Sequence, residues 1–193
     1  MPTQSLGHGA RRRQWLCIML PLLTTLLIRI RNGDDAEVSD AFSDLASILD
    51  IQRNDTLLPY LSPEMTEIVL TSQDYEEIAQ NVENLLIDAS NWHRCSLFSL
   101  LGRIPTDISL PFLLRSCSRL VLYLDDRAAR SAIMSLGECM IRCGDHSFQR
   151  TATLLKEFEV LAFMDKWGTD NVKVGSSYSW TRERMIELLD RFA

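Results

Sequence analysis

A chain of 193 residues that is 46% hydrophobic and 24% charged, with a formal net charge of -6, has the composition of a globular protein. It is long enough for one sizeable core, or at most two small domains. The apolar share and modest net charge exclude a wholly disordered chain, and 8 glycines with 6 prolines exclude collagen-like and linker-rich classes.

Charge is unevenly placed. Residues 1–31 carry Arg11, Arg12, Arg13, Arg29 and Arg31 and no acid, a local charge of +5. The remaining residues sum to -11. Residues 1–12 are expected to be a flexible basic arm. An acidic body argues against duplex DNA, which needs a basic footprint. It leaves room for a local arginine patch facing an acidic or ribonucleoprotein partner.

Residues 15–28, WLCIMLPLLTTLLI, form the longest apolar run. As a helix it reaches only about 21 Å, against roughly 30 Å of bilayer hydrocarbon. No small-residue cleavage pattern follows it. The expectation is a first helix over residues 15–30 packed on residues 36–49, in a cytoplasmic protein. A membrane anchor or uncleaved signal built from 15–30 is the alternative, and a gene-model artefact a third.

All further segments read as helix. Gly33 suits a helix end and Asp34 or Asp35 the next N-cap. Val38, Ala41, Phe42, Leu45, Ile48 and Leu49 then recur at three and four. Ser62-Pro63-Glu64 predicts a short helix through Ile68 and Val69. Ser72 or Asp74 opens a helix with Ile78, Val82 and Leu86, and Ser90 or Asn91 caps one with Cys95, Phe98 and Leu101. After the break at Ile104-Pro105-Thr106-Asp107 comes a helix with Leu110, Leu113, Leu114, Cys117, Leu120, Val121 and Leu124. Asp125-Asp126 starts the next, through Met140. Asp145 is read as the cap of one long helix through Phe158 and Ala162, ended by Gly168. Residues 13–167 are therefore expected to be a helical-repeat domain, 168–178 a loop, and 179–193 a C-terminal helix. No hairpin pattern appears, so a sheet is not expected.

Three segments look alike: DDAEVSDAFSDLASIL (34–49), NWHRCSLFSLLGRI (91–104) and DDRAARSAIMSLGECM (125–140). Each places a cap before a helix with a central leucine: Leu45, Leu101 and Leu136. Leu101-Gly102 and Leu136-Gly137 share a small residue where two helices can approach closely, 35 residues apart. Helix pairs repeating near that period mark armadillo and HEAT solenoids, whose units stack into one continuous core. The fold class predicted is all-α, a short α-solenoid of armadillo/HEAT-like helix pairs. An irregular helical bundle is the competing architecture.

The stretch from NWHRCSLFSLLGRI through IPTDISLPFLLRSCSRLVLYLDDRAARSAI, about residues 88–145, resembles the N-terminal helical repeats of the general control translational activator family of HEAT-repeat proteins. The turn Asp126-Arg127-Ala128-Ala129-Arg130 matches an Asp-x-x-x-Arg pattern before a repeat helix. The resemblance implies ribosome association and translational control through the kinase of initiation factor 2 alpha. The family's kinase-contacting region lies elsewhere in its much longer chains. This chain is then a fragment, a truncated gene model or a separate HEAT protein.

No phosphate-binding loop, dinucleotide fingerprint, zinc-protease helix or nucleophile elbow is present, so no catalytic residue is nominated and an enzyme is not expected. His8, His93 and His146 are scattered. Cys139 and Cys143, one helical turn apart and followed by His146, lack a second ligand pair for zinc and are expected to be packed thiols. No metal or cofactor is expected. Asp34-Asp35 and Asp125-Asp126 are read as helix caps rather than metal carboxylates, and Trp92, Trp167 and Trp180 as partly buried anchors. The candidate partner-binding residues are Arg94, Arg103, Arg115, Arg119, Arg127 and Arg130, with Arg142 nearby. The competing reading is a solvated face paired with acids.

Overall fold

The computed structural model describes residues 22–52, 68–143, 147–168 and 175–192, and every regular element among them is a helix. The chain divides into two compact units, Met1–Val69 and Leu70–Ala193. The division falls inside the stretch 13–167 read as one domain.

The first unit contains α1 (22–32) and α2 (Asp35–Ile51). The turn between them is set by Gly33 and Asp34. A Cβ at position 33 would lie 2.6 Å from the Arg29 carbonyl oxygen, so no side chain fits there. Asp34 Oδ1 accepts from the amides of Ala36 and Glu37 at 3.0 and 2.9 Å, and Glu37 Oε2 accepts from the Asp34 amide. This capping box satisfies donors that a helix start leaves open. Leu23, Leu26 and Ile30 form a buried stripe on α1, and Val38, Ala41, Phe42, Leu45, Ile48 and Leu49 one on α2. An Arg29–Asp44 ion pair at 3.9 Å brings the two helices together. Residues 22–30 thus behave as the expected first helix. Residues 15–21, and the arm at 1–12, lie outside the described residues. No described helix is long and apolar enough to cross a membrane.

The predicted helix through Ile68 and Val69 is corrected where it is described. Residues 68–71 are not helical. Ile68 and Leu70 are buried while Val69 is exposed, so this segment alternates its faces as an extended link does. Residues 53–67 lie outside the described residues.

The second unit holds α3 (Ser72–Asp88), α4 (Asn91–Arg103), α5 (Thr106–Leu120), α6 (Asp126–Arg142), α7 (Phe148–Glu157), α8 (Val160–Gly168) and α9 (Gly175–Arg191). Thr71, Ser90 and Asp125 cap α3, α4 and α6 through side-chain oxygens. Adjacent helices pair, α3 with α4 and α5 with α6. Helices two or three apart also meet: α3 with α5, α4 with α6, α5 with α7 and α8, and α6 with α9. Leu101 and Leu136 are fully buried, as their shared position predicts.

The tightest approaches are made by small residues. A Cβ on Gly102 of α4 would sit 2.9 Å from Ser135 Oγ of α6, and one on Gly137 of α6 would sit 2.6 Å from Thr181 Oγ1 of α9. Across the first of these interfaces Ser131 and Ser135 donate to the Cys95 and Phe98 carbonyls at 2.7 and 2.8 Å.

Three boundaries differ from the sequence reading, the first being that α5 ends at Leu120, so Val121 and Leu124 lie beyond the helix they were assigned to. The long helix expected through Ala162 is broken at Phe158-Glu159, where Glu159 has φ 47°. That left-handed conformation costs a non-glycine residue about 1–2 kcal/mol. It lets α7 bury Phe148, Ala152 and Leu155 while α8, on a new axis, buries Val160, Phe163 and Met164. The proposed cap Asp145 lies outside the described residues. The last helix begins at Gly175, four residues before the expected Ser179, so the end of the 168–178 loop is helical. Glycine and serine mark helix starts as readily as loops, and an Arg182–Asp165 bond at 2.9 Å ties this helix to α8.

Candidate partner-binding surface

The seven central arginines do not assemble into one exposed cluster. Three serve helix ends. Arg94 donates to the Leu86 and Ile87 carbonyls at 3.0 Å each and to the Tyr123 carbonyl at 2.9 Å, joining the C-terminal ends of α3 and α5. Arg142 donates to the Gly102 carbonyl and, at 3.2 Å, to that of Ile104, closing the end of α4. Arg103 bonds the Ser99 carbonyl at 3.0 Å and its hydroxyl. Cations at these ends satisfy orphan carbonyls and complement the helix dipole.

Arg115 is bound from two sides. Its Nε and Nη2 reach the Glu83 carboxylate at 2.8 and 3.0 Å, a two-pronged pair, and its guanidinium lies 4.8 Å from the Phe112 ring centre. The bond to Glu83 raises the Arg115 pKa further. Arg119 is mostly exposed, 3.8 Å from the same carboxylate. For this pair the ion-paired reading holds. The sequence reading had missed Glu83, a carboxylate buried in α3. Its spacing from Val82 and Leu86, inside the apolar stripe, was the available signal.

Arg127 and Arg130 remain on the surface at the start of α6. Arg127 lies 5.0 Å from the ring centre of Trp92. Trp92 is 66% exposed, more than its reading as a partly buried anchor expects, while Trp180 is 42% exposed. A guanidinium over the indole favours this arrangement by about 0.5–1 kcal/mol at an exposed site. Trp167 is half-buried, and its indole N–H has no hydrogen-bond partner.

Trp92 has apolar company. Ile87 is 50% exposed, Leu122 76% and Tyr123 66%. Ile87 ends α3, Trp92 begins α4, and Leu122 and Tyr123 follow α5. Arg94 holds positions 87 and 123 on one guanidinium, so these residues share one edge of the unit. Large apolar side chains left together on a surface mark contact sites.

The thiols carry no chemistry of this kind. Cys117 and Cys139 are buried, and burial pushes both thiol pKa values up. Cys139 lies 3.5 Å from Ser109 Oγ, and Cys143 lies 3.2 Å from both Ser147 Oγ and Thr151 Oγ1. These fit packed thiols. His146 and His8 lie outside the described residues, and His93 sits half-buried in the first turn of α4. No group of three or more His, Cys, Asp or Glu among the described residues is arranged to hold a metal ion. Asp34 and Asp125 act as caps.

Compared with known proteins, the chain matches no protein-family model, no curated protein and no solved structure.

Proposed function

We propose that this chain is a non-catalytic interaction scaffold, a short armadillo/HEAT-like α-solenoid that holds a macromolecular partner on its surface. The observation that carries the reading is the order in which the helices meet. The contacts α3–α5, α5–α7 and α5–α8 make one row, and α4–α6 and α6–α9 make a second. Stacked helix pairs have this neighbour pattern. The equivalent glycines Gly102 and Gly137, each against a hydroxyl residue of the next helix in its row, support a repeated unit.

The partner-facing element is the edge formed by Ile87, Trp92, Leu122 and Tyr123, with Arg127 and Arg130 beside it. An exposed tryptophan next to an arginine has the composition of an interface hot spot. The resemblance to the general control translational activator family points to the ribosome as that partner, with Arg127 and Arg130 pairing with phosphate. Four unpaired cysteines among the described residues fit a reducing, cytoplasmic setting.

The test is cosedimentation of the chain with ribosomes at low and high salt, alongside Arg127→Glu, Arg130→Glu and Trp92→Ala. The expected result is pelleting at low salt that weakens with salt and with each substitution. A folded chain that stays in the supernatant at low salt removes the ribosome as partner. Pelleting unchanged in all three variants removes this edge as the contact.

A further inference from the structure

Between α3, α5 and α7 the surface opens into a groove of about 520 Å³. Ile108, Pro111 and Phe112 give it an apolar, half-buried lining. Glu76, Glu77 and Asp107 also line it and are exposed. No described cation lies within ion-pair distance of these three carboxylates, whereas Glu83 on the same helix is matched by Arg115 and Arg119. Asp107 in the first turn of α5 complements the helix dipole. Glu76 and Glu77 lie beyond the first turn of α3, so capping does not account for them.

One further feature favours a hydrogen-bond-donating occupant. Pro111 has no N–H to give the Asp107 carbonyl four residues before it, so a helix-interior acceptor lacks its usual donor beside the acids. The Phe112 ring centre lies 4.8 Å from the guanidinium of Arg115, itself anchored on Glu83. Among the described residues the only cation lining the groove is Arg150, on α7. The acids therefore dominate the α3 and α5 side.

We infer that this groove binds a basic peptide segment, with an arginine or lysine stem laid on Pro111 and Phe112 and its charged head among Glu76, Glu77 and Asp107. Arginine and lysine have this dual character, an apolar stem that covers apolar surface and a charged tip that reaches beyond it. Nucleic acid is disfavoured here, because its phosphates would face three carboxylates. Arg150 sets direction: basic residues of the peptide lie toward α3, away from α7. The inference rests on the scaffold reading above and uses a different face from the Trp92 edge.

The experiment is fluorescence anisotropy of a labelled decapeptide alternating arginine and leucine, titrated with the full chain. A peptide with glutamate in place of arginine is the control. Expected are saturable binding of the basic peptide only, and affinity about tenfold weaker in the Glu76→Lys/Glu77→Lys double variant. The Glu183→Lys/Asp190→Lys double variant changes net charge equally on α9 and should stay within about twofold of wild type. Circular dichroism melts verify that each variant is folded. No saturable binding, or equal weakening by the two double variants, overturns the groove assignment. Ribosome cosedimentation separates the levels: if it persists while the peptide fails, the groove falls alone, and if both fail, the groove and the ribosome as partner both fall.

Discussion

Gly102 on α4 lies directly against Ser135 on α6, so closely that a methyl group at 102 would stand 2.9 Å from Ser135 Oγ and 3.2 Å from its Cα. The obstruction includes backbone, so rotating the serine hydroxyl does not relieve it. Gly137 differs. There a Cβ would meet Thr181 Oγ1 at 2.6 Å, but the next atom, Thr181 Cβ, is 3.8 Å away. Turning one side chain makes the room. Gly102→Ala should therefore destabilise the chain by about 1–3 kcal/mol from overpacking, despite alanine's better helix propensity. Gly137→Ala should cost distinctly less. Urea titrations of the two variants check the order, and equal losses would contradict this account of the α4–α6 contact.

Leu101 and Leu136 are fully buried beside these glycines. Truncation of either to alanine removes buried methyl groups and leaves a cavity, at about 2–5 kcal/mol each. Thermal melts followed by circular dichroism should show a clear drop for both. A melting temperature unchanged by Leu136→Ala would remove that residue from the core.

These positions were legible in the sequence because periodicity and small-residue placement are local signals with direct packing consequences. The caps at Asp34, Ser90 and Asp125 were legible for the same reason, since a short polar side chain before an apolar stripe satisfies helix amides. What escaped depended on contacts distant in sequence. The break at Glu159 carries no glycine or proline, and burial of apolar faces on both sides of it overrides the continuous helical pattern. Arg94 and Arg142 read as surface charge. Their partners are carbonyls of other helices, up to 40 residues away in sequence for Arg142. Trp92 reads as a partly buried anchor because the sequence does not reveal that Arg127 supplies its only ring partner among the described cations.

The Glu83–Arg115 pair makes a separate prediction. Glu83 is nearly excluded from solvent while Arg115 is partly exposed. Arg115→Met leaves the buried carboxylate without its two-pronged donor and should cost about 1.5–3 kcal/mol. Glu83→Gln in the Arg115→Met background removes the stranded charge and should recover part of that loss. A double-mutant cycle by chemical denaturation measures the coupling. A cycle summing to zero would mean that the two side chains do not interact energetically.

Cys117 and Cys139 give the chain an alkaline limit. Burial raises both thiol pKa values above the ordinary 9.0, so the folded chain keeps its protons where the unfolded chain loses them. The sign follows directly. Below about pH 9 both states hold the protons and the thiols add no pH dependence. Above it the unfolded state binds fewer protons, and stability falls as pH rises toward the folded values. The expected outcome is a decline in denaturation midpoint between about pH 9 and pH 11 that is smaller in Cys117→Ser/Cys139→Ser, measured against each protein's own value at pH 7. The same burial predicts slow labelling of these two thiols by a thiol-specific reagent in native buffer and rapid labelling in denaturant. Fast native labelling of Cys117 would show that the α5–α6 contact opens far more readily than its burial implies.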